Sequence, residues 1–316
     1  MRLLIILFCL LNLTLRSEIL IERVEELELV EILSVDTGEK PQRMDLSGLT
    51  TDGKTLYTVS DLSDQNEIYR IDLEEGKARL SVHRSFPETW LKDYMQRRAH
   101  EGRFDVEGIS YCNGTFYLIN EKSRGILGLD SDGKPFFFDL DFEALHHHNP
   151  FAYALPRTGI INAGLEGVAC TPDESFLYVL NERQFRMGFS YDLKKRRLEE
   201  QWAIPAGSEM PRKEGHLWVY PDFAGAHHDG KLLHLLSRNR RQIVVVDPKN
   251  YKVLKRYGYG AYTKDLFEEK GVFGVAEGLT IFNGDYYIIT DHNLWHHKGT
   301  DRQNPLLIRL RVYEEK

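Results

Sequence analysis

The sequence predicts an all-β protein, a single-domain β-propeller of five four-stranded blades. A short motif in which glycine precedes an aliphatic residue returns five times, with its glycines at positions 48, 108, 167, 225 and 278. The intervals of 60, 59, 58 and 53 residues between these glycines are nearly even, which is typical of a repeat protein. Each repeat also contains short runs of β-branched and aromatic residues separated by turn residues, a pattern that predicts antiparallel strands.

The first four repeats each contain four such runs. In chain order they lie at 46–50, 54–59, 67–71 and 79–83, at 106–111, 115–120, 125–130 and 135–140, at 165–170, 176–180, 187–193 and 198–204, and at 223–226, 231–236, 242–247 and 252–257. The fifth repeat has three runs, at 277–282, 285–290 and 306–312. Because a propeller leaves no long sheet edge exposed, we expect the N-terminal run 19–33 to supply the missing strand and close the last blade. Six blades are the alternative.

Residues 1–17 have the pattern of a signal peptide, which leaves 18–316 as the propeller domain. The chain opens with Met1 and Arg2 followed by an apolar run over 3–13, which is too short to span a bilayer. We therefore expect a secreted or periplasmic protein with no membrane span in the mature chain. An uncleaved anchor is the alternative.

Cys112 and Cys170 fall at equivalent places in the second and third repeats. A disulfide needs Cα atoms within about 7 Å and suitable Cβ directions, and the sequence favours two buried free thiols instead. The net charge of −7 argues against binding of a nucleic-acid polymer. A small anionic substrate must therefore be met by local basic residues or by a metal.

The residue before each repeated glycine begins the innermost strand of its blade, so five of these residues are expected to surround the central channel. In chain order they are Ser47, Glu107, Glu166, Ala224 and Glu277. Three converging glutamates repel one another unless they are protonated or share a cation, and Ca²⁺ accepts such oxygen ligands with loose geometry. We therefore predict a Ca²⁺ site formed by Ser47, Glu107, Glu166 and Glu277. The ion is either catalytic or structural, and a channel without metal is the third alternative.

A second series of polar residues follows the second strand of each blade, at the same end of the channel. The candidates to position or activate water are Asp61, Glu121, Glu182, Asp291 and His292, and the candidates to hold an anionic substrate are Lys122, Arg183 and Arg238. Guanidinium groups suit phosphate and carboxylate, and a neighbouring metal polarises a phosphoryl oxygen or activates water.

The repeats resemble the esterase-like or phytase-like β-propeller family, which is related to the SdiA-regulated bacterial proteins. The segments that carry the resemblance are DLSGLTTDGKTLYTVSD, FDVEGISYCNGTFYLINEK, GLEGVACTPDESFLYVLNER and GVAEGLTIFNGDYYIITDHN. The resemblance implies an extracytoplasmic propeller that binds calcium and hydrolyses phosphoesters or esters. A more distant likeness is to the calcium-activated nucleotidases, or apyrases, whose central Ser, Glu, Glu, Ser, Glu set departs here only at Ala224.

The leading hypothesis is a secreted calcium-dependent hydrolase of anionic phosphoesters, phytase-like or nucleotidase-like, acting at the loop-rich face. The alternative is a non-enzymatic, calcium-stabilised propeller that binds a protein, a glycan or an envelope component. A sugar-lactone hydrolase would fit the propeller and the calcium but has no supporting residues. The sequence leaves the oligomeric state open.

Overall fold

The computed structural model describes most of the repeat region. The described residues are 23–38, 44–62, 66–98, 105–121, 125–142, 145, 164–181, 187–204, 212–214, 217–219, 222–267, 275–292, 295–300 and 302–312. The predicted signal peptide lies outside this set, as do the predicted site residues Lys122, Glu182 and Arg183.

The described chain is all-β, as predicted. It begins with β1 (Val24–Glu26) and β2 (Glu28–Asp36). The first repeat unit contains β3 (Leu46–Thr51), β4 (Leu56–Ser60), β5 (Glu67–Glu74) and β6 (Lys77–Ser85), followed by helix α1 (Glu88–Arg98). The second contains β7 (Val106–Cys112), β8 (Thr115–Asn120), β9 (Gly125–Leu129) and β10 (Pro135–Asp139).

The remaining units follow the same plan. The third contains β11 (Leu165–Cys170), β12 (Phe176–Asn181), β13 (Met187–Asp192) and β14 (Arg197–Ala203), and a hairpin of β15 (Arg212–Glu214) and β16 (Leu217–Val219) follows it. The fourth contains β17 (Phe223–His228), β18 (Leu233–Ser237), β19 (Gln242–Val246) and β20 (Val253–Gly258), followed by helix α2 (Gly260–Thr263). The fifth contains β21 (Ala276–Phe282), β22 (Asp285–Thr290) and β23 (Leu306–Arg311).

An N-terminal strand completes the fifth unit, as the sequence predicted. Strand β2 pairs antiparallel with β23, with Leu33 opposite Leu307, and its end also pairs in parallel with β6. The predicted run 19–33 nevertheless divides near Leu27, because β1 turns away to pair in parallel with β20. The segment from β1 to β2 therefore ties the fourth, fifth and first units together.

The apolar cores lie between neighbouring units. One cluster joins the first and second units through Val59 and Ile109, and equivalent clusters join the second to the third, the third to the fourth and the fourth to the fifth. A further cluster joins the fifth unit to the first through Ile289 and Leu56. The innermost strands β3, β7, β11, β17 and β21 also contact one another in this cyclic order. Each unit is thus stabilised mainly by burying apolar surface against two neighbours.

The prediction of two free thiols is wrong. Cys112 at the end of β7 and Cys170 at the end of β11 form a disulfide, with 6.3 Å between their Cα atoms. The two strands are adjacent inner strands, and their cysteines stand at the same level, so the geometric condition for a bridge is met. The bond joins the second and third units covalently.

Neither α1 nor α2 has the length and apolar character of a transmembrane helix, and the described ranges contain no other helix that does.

Candidate functional site

A closed ring of glycines brings the five innermost strands together. A Cβ atom on Gly48 would lie 2.8 Å from the backbone nitrogen of Ile109, and one on Gly108 would collide with the carbonyl oxygen of Glu166. The same relation continues around the ring, from Gly167 to Gly225, from Gly225 to Gly278, and from Gly278 back to Gly48. The repeated glycine is therefore required by close approach of backbone to backbone.

Each innermost strand is irregular at this glycine. The pairing register slips between Ser47 and Leu49 in β3, and equivalent slips occur in β7, β11, β17 and β21. A β-bulge of this kind bends the strand and re-aims a side chain. The bulges therefore explain how the residues before the glycines lie at the axis of the ring. Ser47 Oγ donates hydrogen bonds to the backbone oxygen of Glu107 at 2.6 Å and to its Oε2 at 3.0 Å.

The residues that follow the second strands lie beside the bulges of the innermost strands. The backbone N–H of Asp61 donates to the carbonyl oxygen of Asp45 at 3.1 Å, and the N–H of Glu121 donates to that of Asp105 at 3.0 Å. In the fifth unit the N–H of Asp291 donates to the equivalent carbonyl at 2.9 Å. In these three units the bond places the residue after the second strand beside the residue three positions before the glycine. Both residues of the pair are acidic in the first unit, where they are Asp45 and Asp61, and in the second, where they are Asp105 and Glu121.

The carboxylates gather into two groups with the spacing of metal ligands. One group is Asp105, Glu107 and Glu121 in the second unit, and the other is Asp45 of the first unit with Asp291 and His292 of the fifth. Within each group the possible ligand atoms lie within 4.8 Å of one another. His292 is buried, with its Nε2 3.8 Å from Asp45 Oδ1. The first group offers oxygen ligands only, as Ca²⁺ prefers, whereas the second includes one imidazole nitrogen.

This concentration of negative charge shifts the protonation of the carboxyl groups. Burial, together with the negative charges of the neighbouring Asp291 and Asp45, raises the pKa of Asp61 to about 8. Burial also raises the pKa of Glu107 well above its usual range, with Asp61 and Asp105 acting in the same direction. Asp61 Oδ1 is buried, and the described residues provide it with no hydrogen-bond partner. A cation would relieve both the repulsion and the missing contact, so the residues present fit a metal ion.

We expect the metal-free protein to lose stability as the pH rises from about 6.5 to 8. In that range the folded state retains a proton on Asp61, whose pKa is about 8, while the unfolded chain has released it. The pKa of His227 is lowered to about 3 by burial, so below pH 6.5 this histidine acts in the opposite direction. The expected fall in the free energy of unfolding is on the order of 1 kcal/mol.

Urea unfolding in a chelator, repeated at several pH values, measures this fall. Saturating Ca²⁺ should flatten the dependence, because the ion replaces the proton as the counter-charge. A free energy of unfolding that rises between pH 6.5 and 8 in the chelator would contradict the assignment. Asp61→Asn is the informative variant, since its side chain cannot ionise and should remove the part of the slope that Asp61 contributes, leaving the part from Glu107.

The fourth unit is built differently. Its position before the glycine is Ala224, and the buried Arg238, which follows β18, extends to the glutamate of the next unit. Arg238 Nη1 lies 2.6 Å from both carboxylate oxygens of Glu277, and its Nε donates to Asp222 Oδ2 at 3.0 Å. The sequence predicted a role in substrate binding for this arginine. The structure places its guanidinium between two acidic side chains.

The structure thus brings together most of the predicted site residues that it describes. Ser47 contacts Glu107 directly, Asp291 of the fifth unit is close enough to Asp61 of the first to raise its pKa, and Glu166 and Glu277 lie buried in the same ring of bulges. Glu121 accepts a hydrogen bond from the N–H of Gly164 in the third unit.

Sequence reasoning missed three acidic residues. Asp45, Asp105 and Asp222 each stand three positions before a repeated glycine, in the first, second and fourth units. The signal that could have found them was therefore in the repeat motif itself. The third and fifth units have Gly164 and Val275 at this position, so the series is incomplete.

The fold and the site define a propeller-type protein with an acidic centre. The chain belongs to the Phytase-like family, described as having the esterase-like activity of phytase, because the model of that family matches residues 44–294. Every residue of the acidic centre that the structure describes lies within this match. A search of curated proteins finds no match.

Several solved propeller-type structures resemble the fold. Glutaminyl cyclase of Myxococcus xanthus is 10% identical, with a TM-score of 0.53, over 92% of this chain and 100% of that one. A luciferin-regenerating enzyme is 12% identical, with a TM-score of 0.45, over 89% of this chain and 95% of that one. The RRP9 WD40 repeats are 10% identical, with a TM-score of 0.42, over 84% of this chain and 67% of that one. At such identities the first likeness shows the fold alone, and the other two carry no argument.

Proposed function

We propose that this protein is a secreted, five-bladed propeller that hydrolyses anionic phosphoesters with the help of Ca²⁺. The observation that carries the proposal is the convergence of carboxylates from three units at one end of the ring, where the pKa values of Asp61 and Glu107 are raised. Membership of the Phytase-like family supports a hydrolase. Five blades are supported by the cyclic contacts of the five innermost strands.

The residues of the second unit are the best candidates to hold the ion. Asp105, Glu107 and Glu121 provide closely spaced oxygens, and Ser47 and Glu166 border them in the ring. The ion, when bound, neutralises the charge of the phosphoryl group and polarises it. The structure gives no comparable reason to choose a transition metal here, because this group contains only oxygen ligands.

The remaining roles, which are to activate water and to hold the anionic substrate, are assigned to side chains around the ion. Asp61, whose pKa is about 8 without a metal, would lose its proton when the ion binds, and its carboxylate would then be a candidate to position or activate water. Asp291 and His292 lie beside it and are the candidates to orient water. Lys122 and Arg183 stay candidates to hold the anionic substrate, and Glu182 stays a candidate for water activation. These three lie outside the described residues.

Secretion is part of the proposal. The disulfide between Cys112 and Cys170 supports it, since such bonds persist mainly in oxidising compartments. The predicted signal peptide over 1–17 would direct the chain there. Cell fractionation, together with N-terminal sequencing of the mature protein, tests this part directly.

The test of the activity is a panel of substrates with and without calcium. We expect the purified protein to contain Ca²⁺ by elemental analysis and to release phosphate from at least one of phytate, nucleotides or aryl phosphates. A chelator should abolish turnover, and Ca²⁺ should restore it. Aryl carboxylic esters belong in the panel because of the family's esterase-like description.

The alternative, a non-enzymatic binding propeller, makes the opposite prediction for the same experiment. It expects Ca²⁺ in the protein and a lower melting temperature after chelation, but no turnover of any ester in the panel. That result would overturn the hydrolase proposal. If the purified protein contains no Ca²⁺ and binds none when it is added, both hypotheses are wrong about the ion.

A further inference from the structure

The fourth unit has alanine at the position where the other units have serine or glutamate, and its Arg238 contacts the glutamate of the fifth unit. Ala224 is buried and has only a methyl side chain at the bulge of β17. The Arg238 guanidinium approaches from the end of the neighbouring strand and contacts both oxygens of Glu277 at 2.6 Å. The arginine of the fourth unit therefore neutralises the glutamate of the fifth.

The guanidinium is held from its other side as well. Its Nε donates to Asp222 Oδ2 at 3.0 Å, and Asp222 Oδ1 accepts a hydrogen bond from the backbone N–H of Asn239 at 2.9 Å. All three charged side chains are buried, with Arg238 8%, Asp222 1% and Glu277 7% exposed. Breaking one partner of such a buried pair leaves an uncompensated charge, which is costly. Arg238 therefore has little freedom to leave Glu277.

We propose that Arg238 is a positioning residue that withholds Glu277 from the calcium ion. This inference rests on the proposed function, since it assumes an ion at the acidic centre. The ion site is then asymmetric: it rests on the carboxylates of the second unit, while the glutamate of the fifth unit is already neutralised by the Arg238 guanidinium. The arrangement lowers calcium affinity and reduces the net negative charge of the acidic centre.

The direct test is calcium titration by calorimetry on Arg238→Met. This variant removes the cation and frees Glu277, so we expect Ca²⁺ to bind at least about tenfold more tightly than to the unchanged protein. Arg309→Met is the matched control, because Arg309 of β23 pairs with Asp285 of β22 and Glu31 of β2. We expect its calcium affinity to stay within about twofold of the unchanged protein.

The double variant Arg238→Met with Glu277→Gln separates the two roles of the pair. It removes one positive and one negative charge together, so its calcium affinity should return to within about threefold of the unchanged protein. If Glu277 is instead a ligand in the native state, the double variant should lose affinity by more than tenfold, and the proposal is overturned. The double variant stays informative if Arg238→Met alone does not fold, because a neutral pair of similar volume is tolerated in buried sites.

A measurement without metal distinguishes the failure of this inference from the failure of the proposed function. In a chelator, a double-mutant cycle over Arg238 and Glu277 should show clear coupling in the free energy of unfolding, whether or not the protein binds calcium. If the two residues are coupled but the protein binds no calcium, the proposed calcium site and the proposed function are both wrong, although the ion pair between Arg238 and Glu277 is real. Calcium binding with unchanged affinity in Arg238→Met would overturn this inference alone.

Discussion

Gly278→Ala is expected to destabilise the folded protein by at least about 4 kcal/mol. The added Cβ would lie 2.5 Å from the backbone nitrogen of Leu49 and 2.8 Å from the Cα atom of Gly48. These are backbone atoms of the first unit, which cannot rotate away as a flexible side chain can. Because the innermost strands form a closed ring, moving β3 outward would disturb its contact with β7 as well.

Gly260→Ala is the matched control for this substitution. Gly260 begins α2, and the nearest atoms to an added Cβ belong to the side chain of Arg241, at 3.4 and 3.5 Å. We expect a change within about 0.5 kcal/mol, since alanine favours a helix and the neighbour can shift. Urea unfolding of both variants measures the difference. Equal stability of the two proteins would show that close packing of the glycine ring does not hold the fold together.

The repeated glycine explains why so much of the fold was predictable. A residue that every unit needs for the same physical reason recurs at the interval of the unit, and that interval sets the strand pattern around it. The N-terminal strand was predictable because the fifth unit lacked a partner for β23. The division of the N-terminal run between β1 and β2 was not, because pairing with β20 depends on where the fourth unit stands in space.

Equivalent positions in two repeats predict that two cysteines lie on neighbouring strands, but they do not predict whether a disulfide forms. Cys112 and Cys170 were placed correctly on neighbouring strands, but the sequence carries no information about the direction of their Cβ atoms. The 6.3 Å distance between their Cα atoms follows from the tight contact of β7 with β11 beside the ring glycines. Only the packed structure contains that distance.

Site residues that occupy the same position in every repeat could be predicted from the sequence, whereas contacts specific to one pair of units could not. Glu107, Glu166 and Glu277 share a position and were found together. Arg238 also has a repeated position, after the second strand, but its side chain contacts Glu277 of the next unit. Exceptions of this kind are formed by two units at once, and a pattern within one unit does not reveal them.

Glu107→Gln is expected to reduce turnover of any active phosphoester by about a thousandfold or more. Glutamine keeps the size of the side chain and still accepts the hydrogen bond from Ser47 Oγ, but it removes the charge that the ion requires. Calcium affinity, measured by titration, should fall together with turnover. Glu199→Gln is the matched control, since Glu199 of the outer strand β14 pairs with Arg197 of the same strand and with Lys195 in the turn before it.

The same substitution should leave the metal-free protein at least as stable as before, and this sign distinguishes a site residue from a structural one. The pKa of Glu107 is raised because burial and the neighbouring Asp61, Asp105 and Glu121 all disfavour its ionised form. A neutral glutamine relieves that repulsion, so in a chelator near pH 8 the free energy of unfolding should stay equal or rise. A variant that keeps full turnover would exclude Glu107 from the reaction. A variant that unfolds in the chelator would show that its charge serves the fold instead.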